Sequence, residues 1–164
     1  MPATDAETEQ HAVPAVPALS DLPGHHIRRL QQIAVAIFLE ETAAQGITPV
    51  QFAALAELAH QPGIDQRSLG RRIGFDTSTI GGVIDRLQAR GLVQRGLSDA
   101  DRRVRLLHLT AAGQALLQQV LPPMHRAQQR MLAPLAPAER PKFMRMLRQL
   151  VEANNQLSRA PSDS

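Results

Sequence analysis

"DTSTIGGVIDRLQARGLVQRGLSDADRRVRLLHLT", residues 76–110, carries two hydrophobic periods in immediate succession. In its first half Ile80, Val83, Ile84 and Leu87 fall at i, i+3, i+4 and i+7. That spacing predicts the buried face of a helix opened by Asp76 and stopped by Gly91. In its second half, "LVQRGL" and "VRLLHLT" are short β-branched or leucine-rich runs, and the "SDADRR" between them predicts a hairpin loop of about six residues. The outward face of the helix presents Ser78, Gly82 and Asp85, flanked by Gly81 and Arg86. Two glycines inside a helix cost about 1 kcal/mol each relative to alanine, so they need a reason. On an outward face the missing side chain lets the helix axis approach another body, either a helix or a DNA groove.

Upstream, Ile27, Leu30, Ala34, Ile37 and Phe38 predict one long amphipathic helix from Leu22 to about Gln45, ended by Gly46. "ITPVQFAALAEL" carries a helix start: Thr48 as N-cap, Pro49 in the first turn and Gln51 at the capping-box position. This second helix bears Phe52, Leu55 and Leu58 and runs to about His60. "QPGID" reads as a turn, after which Asp65 caps a short third helix with Leu69 and Ile73 that Gly74 closes. Downstream, Thr110 caps a helix through Leu116, Leu117, Val120 and Leu121. Pro122 and Pro123 predict a kink or break in it before "MHRAQQRML" continues. A last amphipathic helix holds Phe143, Met146, Leu147, Leu150 and Leu157, with Pro141 near its start. Residues 1–20, which contain "AVPAVPAL", and residues 158–164, "SRAPSDS", read as disordered tails.

The 164 residues suffice for a buried core without staples. The absence of cysteine excludes disulfides, thiolate metal sites, cysteine nucleophiles and thiol sensing, and the expected compartment is the cytoplasm. No apolar run approaches the roughly 18 residues of a membrane span, so no membrane partner is expected. The net charge of +3 is unevenly placed: residues 65–105 hold nine Arg against five Asp, and the remainder nine basic residues against ten acids. Seventeen of the eighteen cationic side chains are Arg, whose planar fork suits phosphates and guanine edges. With no Tyr or Trp and four Phe, there is no set of platforms for stacking single-stranded bases, so a nucleic-acid partner would be double-stranded DNA.

The fold class is therefore mainly α with a small β-hairpin. Two helices joined by a short glycine-bearing turn, with a charged hairpin directly after, describe a winged helix-turn-helix over residues 47–109. "ITPVQFAAL", "DQRSLGRRIGFDTSTIGGVIDRLQARGLVQR" and "DADRRVRLLHLTAAGQAL" resemble the MarR family of bacterial winged-helix regulators, over nearly the whole of residues 20–157. The resemblance implies a homodimer whose N- and C-terminal helices, residues 21–46 and 110–157, interlock. It also implies a pseudo-palindromic operator with half-sites about one helical turn apart, and a repressor released by a small ligand.

Thr77, Ser78, Thr79 and Arg86 are the expected major-groove residues, because hydroxyls at a helix N-terminus meet phosphates or base edges and the helix dipole favours the anion. The alternative is ordinary capping and solvation. Gly81 and Gly82 then have their reason in close approach to the groove. Arg67, with Arg71, Arg72, Arg90 and Arg95, meets phosphates or stays solvated. In the wing, Arg102 or Arg103 is expected in the minor groove, where narrow A·T stretches concentrate negative potential. The resemblance makes Asp101 the orienting partner of that arginine, with Arg102 preferred as the tip.

"PGHHIRRL" crowds His25, His26, Arg28 and Arg29 into the first turns of a helix, against its dipole. They are either solvated or the clamp of a pocket for an anionic small molecule such as an aromatic carboxylate. His60, His108 and His125 are too scattered for a metal site and read as structural, and no cofactor is expected. No G-x-S-x-G, G-x-x-x-x-G-K-[ST] or H-E-x-x-H occurs, so an enzyme is not expected. The competing reading is a non-catalytic winged-helix adaptor that binds protein. An adaptor would show little affinity for random duplex DNA and little salt dependence.

Overall fold

Helix starts are fixed by side-chain caps at four places along the chain. In this computed structural model, which describes residues 16–97 and 105–158, the Thr48 hydroxyl accepts from the Gln51 amide at 3.3 Å while Gln51 Oε1 accepts from the Thr48 amide at 3.1 Å. This reciprocal box opens α2 (Pro49–His60). Asp65, Asp76 and Thr110 each accept a backbone amide three residues on, and so open α3 (Gln66–Arg72), α4 (Thr77–Ala89) and α5 (Ala111–Leu132). The first helix, α1 (Pro23–Glu41), ends four residues short of Gln45. A separate 3-10 turn fills Ala43–Gln45 and closes on Gly46 at φ +56°. Gly74 and Gly91 take positive φ past α3 and α4, as expected of helix stops.

The sheet is larger than a hairpin. β2 (Val93–Leu97) and β3 (Arg105–Leu109) pair antiparallel in the register Val93↔Leu109 to Leu97↔Arg105. A third strand, β1 (Ile64–Asp65), pairs Ile64 with Leu107 on the far side of β3, so the order is β1-β3-β2. The "QPGID" segment is thus a turn only as far as Gly63, at φ +83°, whose amide donates to the Leu107 carbonyl at 2.9 Å. Two residues are too few to display a period of two, which hid this strand from the sequence.

The predicted inward faces of α2, α3 and α4 meet over β3. Leu55, Leu58, Leu69, Ile80, Ile84, Leu87 and Leu107 are all fully buried, each a removal from water of about 1.5–3 kcal/mol. Gly70 and Gly113 are required by this packing. A Cβ on Gly70 would stand 2.8 Å from the Phe75 carbonyl, and one on Gly113 only 2.1 Å from that of Leu92. The start of α5 is thereby pressed onto the base of the hairpin, where the Thr110 hydroxyl also donates to the Gly91 carbonyl at 2.6 Å.

Of the two outcomes open for Pro122–Pro123, a break does not occur: both prolines lie inside the 22-residue α5, and Pro123 is buried. Glu40 and Glu41 at the end of α1 hold Arg126 and Arg130 of α5 at 2.9–3.3 Å. The last helix, α6 (Arg140–Ala153), takes Pro141 in its first turn, where no backbone bond is lost. Its apolar stripe is uncovered, with Met146, Leu150 and Val151 52%, 54% and 65% exposed and Phe143 and Leu147 half-buried. A 3-10 turn at Asn155–Leu157 follows.

The chain divides into two units, one ending at Gln32 and one starting at Ile33. In the first, a 3-10 turn at Leu19–Asp21 overlaps the end of the stretch read as a tail.

Candidate nucleic-acid interface

The start of α4 gathers the hydroxyl residues at its exposed end. Asp76 Oδ1 accepts from the Thr79 amide at 2.8 Å and from the Ser78 hydroxyl at 2.6 Å, and its Oδ2 accepts from the Thr79 hydroxyl at 3.0 Å. The Ser78 hydroxyl, the Thr79 amide and the Thr79 hydroxyl together hold the Asp76 carboxyl well below its usual range, at about 2. Ser78 and Thr79 therefore spend their protons on the cap and present oxygen lone pairs outward. The Thr77 side chain is exposed and makes no hydrogen bond among the described residues.

Arg67 on α3 and Arg86 on α4 are exposed and lack an ion-pair partner among the described residues. Three other arginines of this quarter are committed. Arg72 pairs with Glu57 of α2. Arg90, at the end of α4, donates to the Gly46 and Gln45 carbonyls at 2.9 and 3.3 Å and ties that end to the 3-10 turn before α2. Arg95 of β2 donates to Asp85 at 2.7 Å, Gln88 at 2.6 Å and Gln66 at 3.3 Å, clasping the hairpin to α4 and α3 together. The Asp85 carboxylate, which the sequence places on the outward face, is thus neutralised from within the molecule.

Gly81 is half-buried, and a Cβ there would lie 3.3 Å from Gln66 Nε2, so its small size serves the α3–α4 contact. At Gly82 the corresponding neighbour is Arg86 Nη1 at 3.5 Å, an ordinary contact. Asp101, Arg102 and Arg103 lie outside the described residues. Sequence reasoning missed the roles of Gln66, Arg90 and Arg95, because their partners are set by strand register and tertiary approach with no local signature.

In the N-terminal unit, His25 is half-buried while His26, Arg28 and Arg29 are exposed on the first turns of α1. The two imidazoles meet edge-on with ring centres 5.7 Å apart. His26 Nε2 lies 2.6 Å from the Ser20 carbonyl, which makes that nitrogen a donor. Arg28 and Arg29 have no ion-pair partner among the described residues. Among these residues no cluster of His, Asp and Glu is placed to hold a metal, and no helix is long and apolar enough to cross a membrane.

A helix-turn-helix backed by a three-stranded sheet defines a winged-helix protein, and comparison with known proteins narrows the class. The MarR family profile matches residues 45–104. The HTH-type transcriptional repressor NicR of Pseudomonas putida is 30% identical over 131 residues, covering 80% of this chain and 83% of that protein. The PcaV transcriptional regulator of Streptomyces coelicolor, solved with its natural ligand, superposes with a TM-score of 0.79 at 37% identity, over 85% of this chain and 98% of that one. BpsR of Bordetella bronchiseptica, described for regulation of its DNA binding by 6-hydroxynicotinic acid, superposes with a TM-score of 0.79 at 33% identity, over 83% and 97%. The chain belongs to the MarR family. It is accordingly a transcriptional regulator of that family and not an enzyme.

Proposed function

We propose that the protein is a homodimer that represses from a pseudo-palindromic double-stranded DNA operator and is released by a small anionic effector, an aromatic carboxylate. The observation that carries the DNA reading is the exposed start of α4, where the Thr77 hydroxyl makes no hydrogen bond among the described residues and Ser78 and Thr79, their protons held by Asp76, offer acceptors to base-edge donors. Arg86 lies on the same helix, and Arg67 on α3. Residues 47–109 form the DNA-binding part, with Asp101, Arg102 and Arg103 as its wing. Residues 21–46 and 110–157 supply the dimer contact, which the uncovered stripe of α6 supports. His25, His26, Arg28 and Arg29 are the anion clamp. The ligand of BpsR, 6-hydroxynicotinic acid, is an aromatic acid and supports that choice of effector.

Two measurements test this reading. Binding to random and promoter-derived duplexes is followed across salt concentration. A DNA-binding dimer gives a steep negative slope of log K against log salt, whereas a protein-binding adaptor gives little affinity and little slope. A thermal-shift screen of aromatic carboxylates then identifies stabilising acids. A stabilising acid is expected to weaken operator binding by about 5–150-fold, the range of a coupling of about 1–3 kcal/mol. Stabilisation that leaves DNA affinity unaltered contradicts the release mechanism.

A further inference from the structure

A cavity of about 680 Å³ opens between the end of α2, the base of β2–β3 and the first half of α5, a volume suited to a small organic molecule. The pattern of α5 builds one wall: Ala111 and Ala115, one turn apart, leave space, while Gln114 and Gln118, also one turn apart, frame it with carboxamides. The opposite wall is the cross-strand pair Gln94↔His108. The His108 ring is seated by two glycines, since a Cβ on Gly63 or Gly96 would come within 3.3 or 3.8 Å of it. Leu58 and Leu117, both buried, form an apolar floor. Gly113, against the Leu92 carbonyl, fixes the spacing of α5 from the hairpin.

The lining chemistry selects the ligand. No Arg, Lys, Asp or Glu lines the cavity among the described residues, so a charged ligand would meet no counter-charge there apart from His108. Carboxamides on both walls, Gln114 and Gln118 on one and Gln94 on the other, offer donors and acceptors across the cavity, which complements a planar group that both donates and accepts. We propose that this cavity is a binding site for neutral, planar carboxamides or lactams. It is distinct in chemistry from the cationic cluster at the start of α1. An occupant would touch α5 and both strands of the hairpin at once. The site does not depend on the operator or the anionic effector, and its test uses no DNA.

The full-length protein, labelled with nitrogen-15, is titrated with benzamide and, separately, with benzoate. Benzamide is expected to shift the side-chain NH₂ resonances of Gln94, Gln114 and Gln118 saturably, with a Kd of about 1 mM, the affinity a fragment of this size achieves. Benzoate is expected to be at least about tenfold weaker at these resonances, the factor that separates two binding modes clearly. Ala115→Leu places a good helix former on an exposed position and adds bulk to the cavity wall, so it should weaken benzamide severalfold. Should that variant unfold, Gln118→Ala, a truncation at an exposed site, is expected to weaken benzamide severalfold with an unaltered thermal midpoint. The proposal is overturned by the absence of saturable shifts at about 10 mM benzamide, by equal binding of benzoate, or by a benzamide affinity that is unaltered in the folded variants.

Discussion

Asp76 shows how one carboxylate sets both the start of α4 and the chemistry of its exposed end. Its acceptor bonds from Ser78 and Thr79 lower its titration to about 2 from an ordinary 3.8, so the folded state binds this proton more weakly than the unfolded chain. The stabilisation is therefore complete above about pH 4 and is lost as pH falls towards 2. The unfolding midpoint of the wild type should exceed that of Asp76→Ala near neutral pH, with the gap closing between pH 4 and 2; a gap independent of pH would refute the capping role. Gly113 makes the opposite kind of demand, for the absence of an atom. Gly113→Ala drives its Cβ into the Leu92 carbonyl and should cost at least about 1–3 kcal/mol in denaturant unfolding, the range seen when a packed interior is overfilled. The capping residues were legible in the sequence because their partners lie three positions away. The need for glycine at 113 was not, since its obstacle is a carbonyl twenty-one residues distant in the chain.

At the level of elements, the five longer helices were readable from apolar spacing and caps, and the strands β2 and β3 from two short apolar runs around a charged loop. The internal commitments of the arginines were not readable, because sequence counts charges without showing what each one faces. Arg95 is the clearest instance: it belongs to the basic quarter, yet its guanidinium is occupied by Asp85, Gln88 and Gln66. A DNA contact and a clasp predict different salt behaviour. Arg95→Ala should weaken operator binding with little change in the slope of log K against log salt, and Asp85→Ala should give no further loss when combined with it. Arg86→Ala should reduce the slope by about one counterion, as a phosphate contact does. A slope change at Arg95 equal to that at Arg86 would move Arg95 into the DNA contact set. The tandem prolines illustrate a limit of local rules. Each removes a backbone donor, but α5 continues through them, with Pro123 buried against the rest of the chain.

At the scale of the whole molecule, the amphipathic period of α6 was legible but its partner was not, since no residue of α6 is buried in the single chain. The partner proposed for the stripe that includes Met146, Leu150 and Val151 is a second copy of the chain. Sedimentation of the wild type should report a dimer, and Leu150→Asp should shift it to monomer and abolish cooperative operator binding while leaving the winged-helix core folded. A wild-type monomer at micromolar concentration would overturn the assembly. The attachment of α4 has a mechanical consequence. Arg90 pins its C-terminal end to the backbone ahead of α2, while its N-terminal hydroxyls project about 20 Å away at 1.5 Å per residue. Because Ile80, Val83, Ile84 and Leu87 are all buried, the helix is held along its length and moves only together with the residues it packs on. A turn of that whole body by only about 10° about the Arg90 end would sweep the other end by roughly 3 Å, which exceeds the tolerance of a hydrogen bond, so it would end the contacts proposed for Thr77, Ser78 and Thr79.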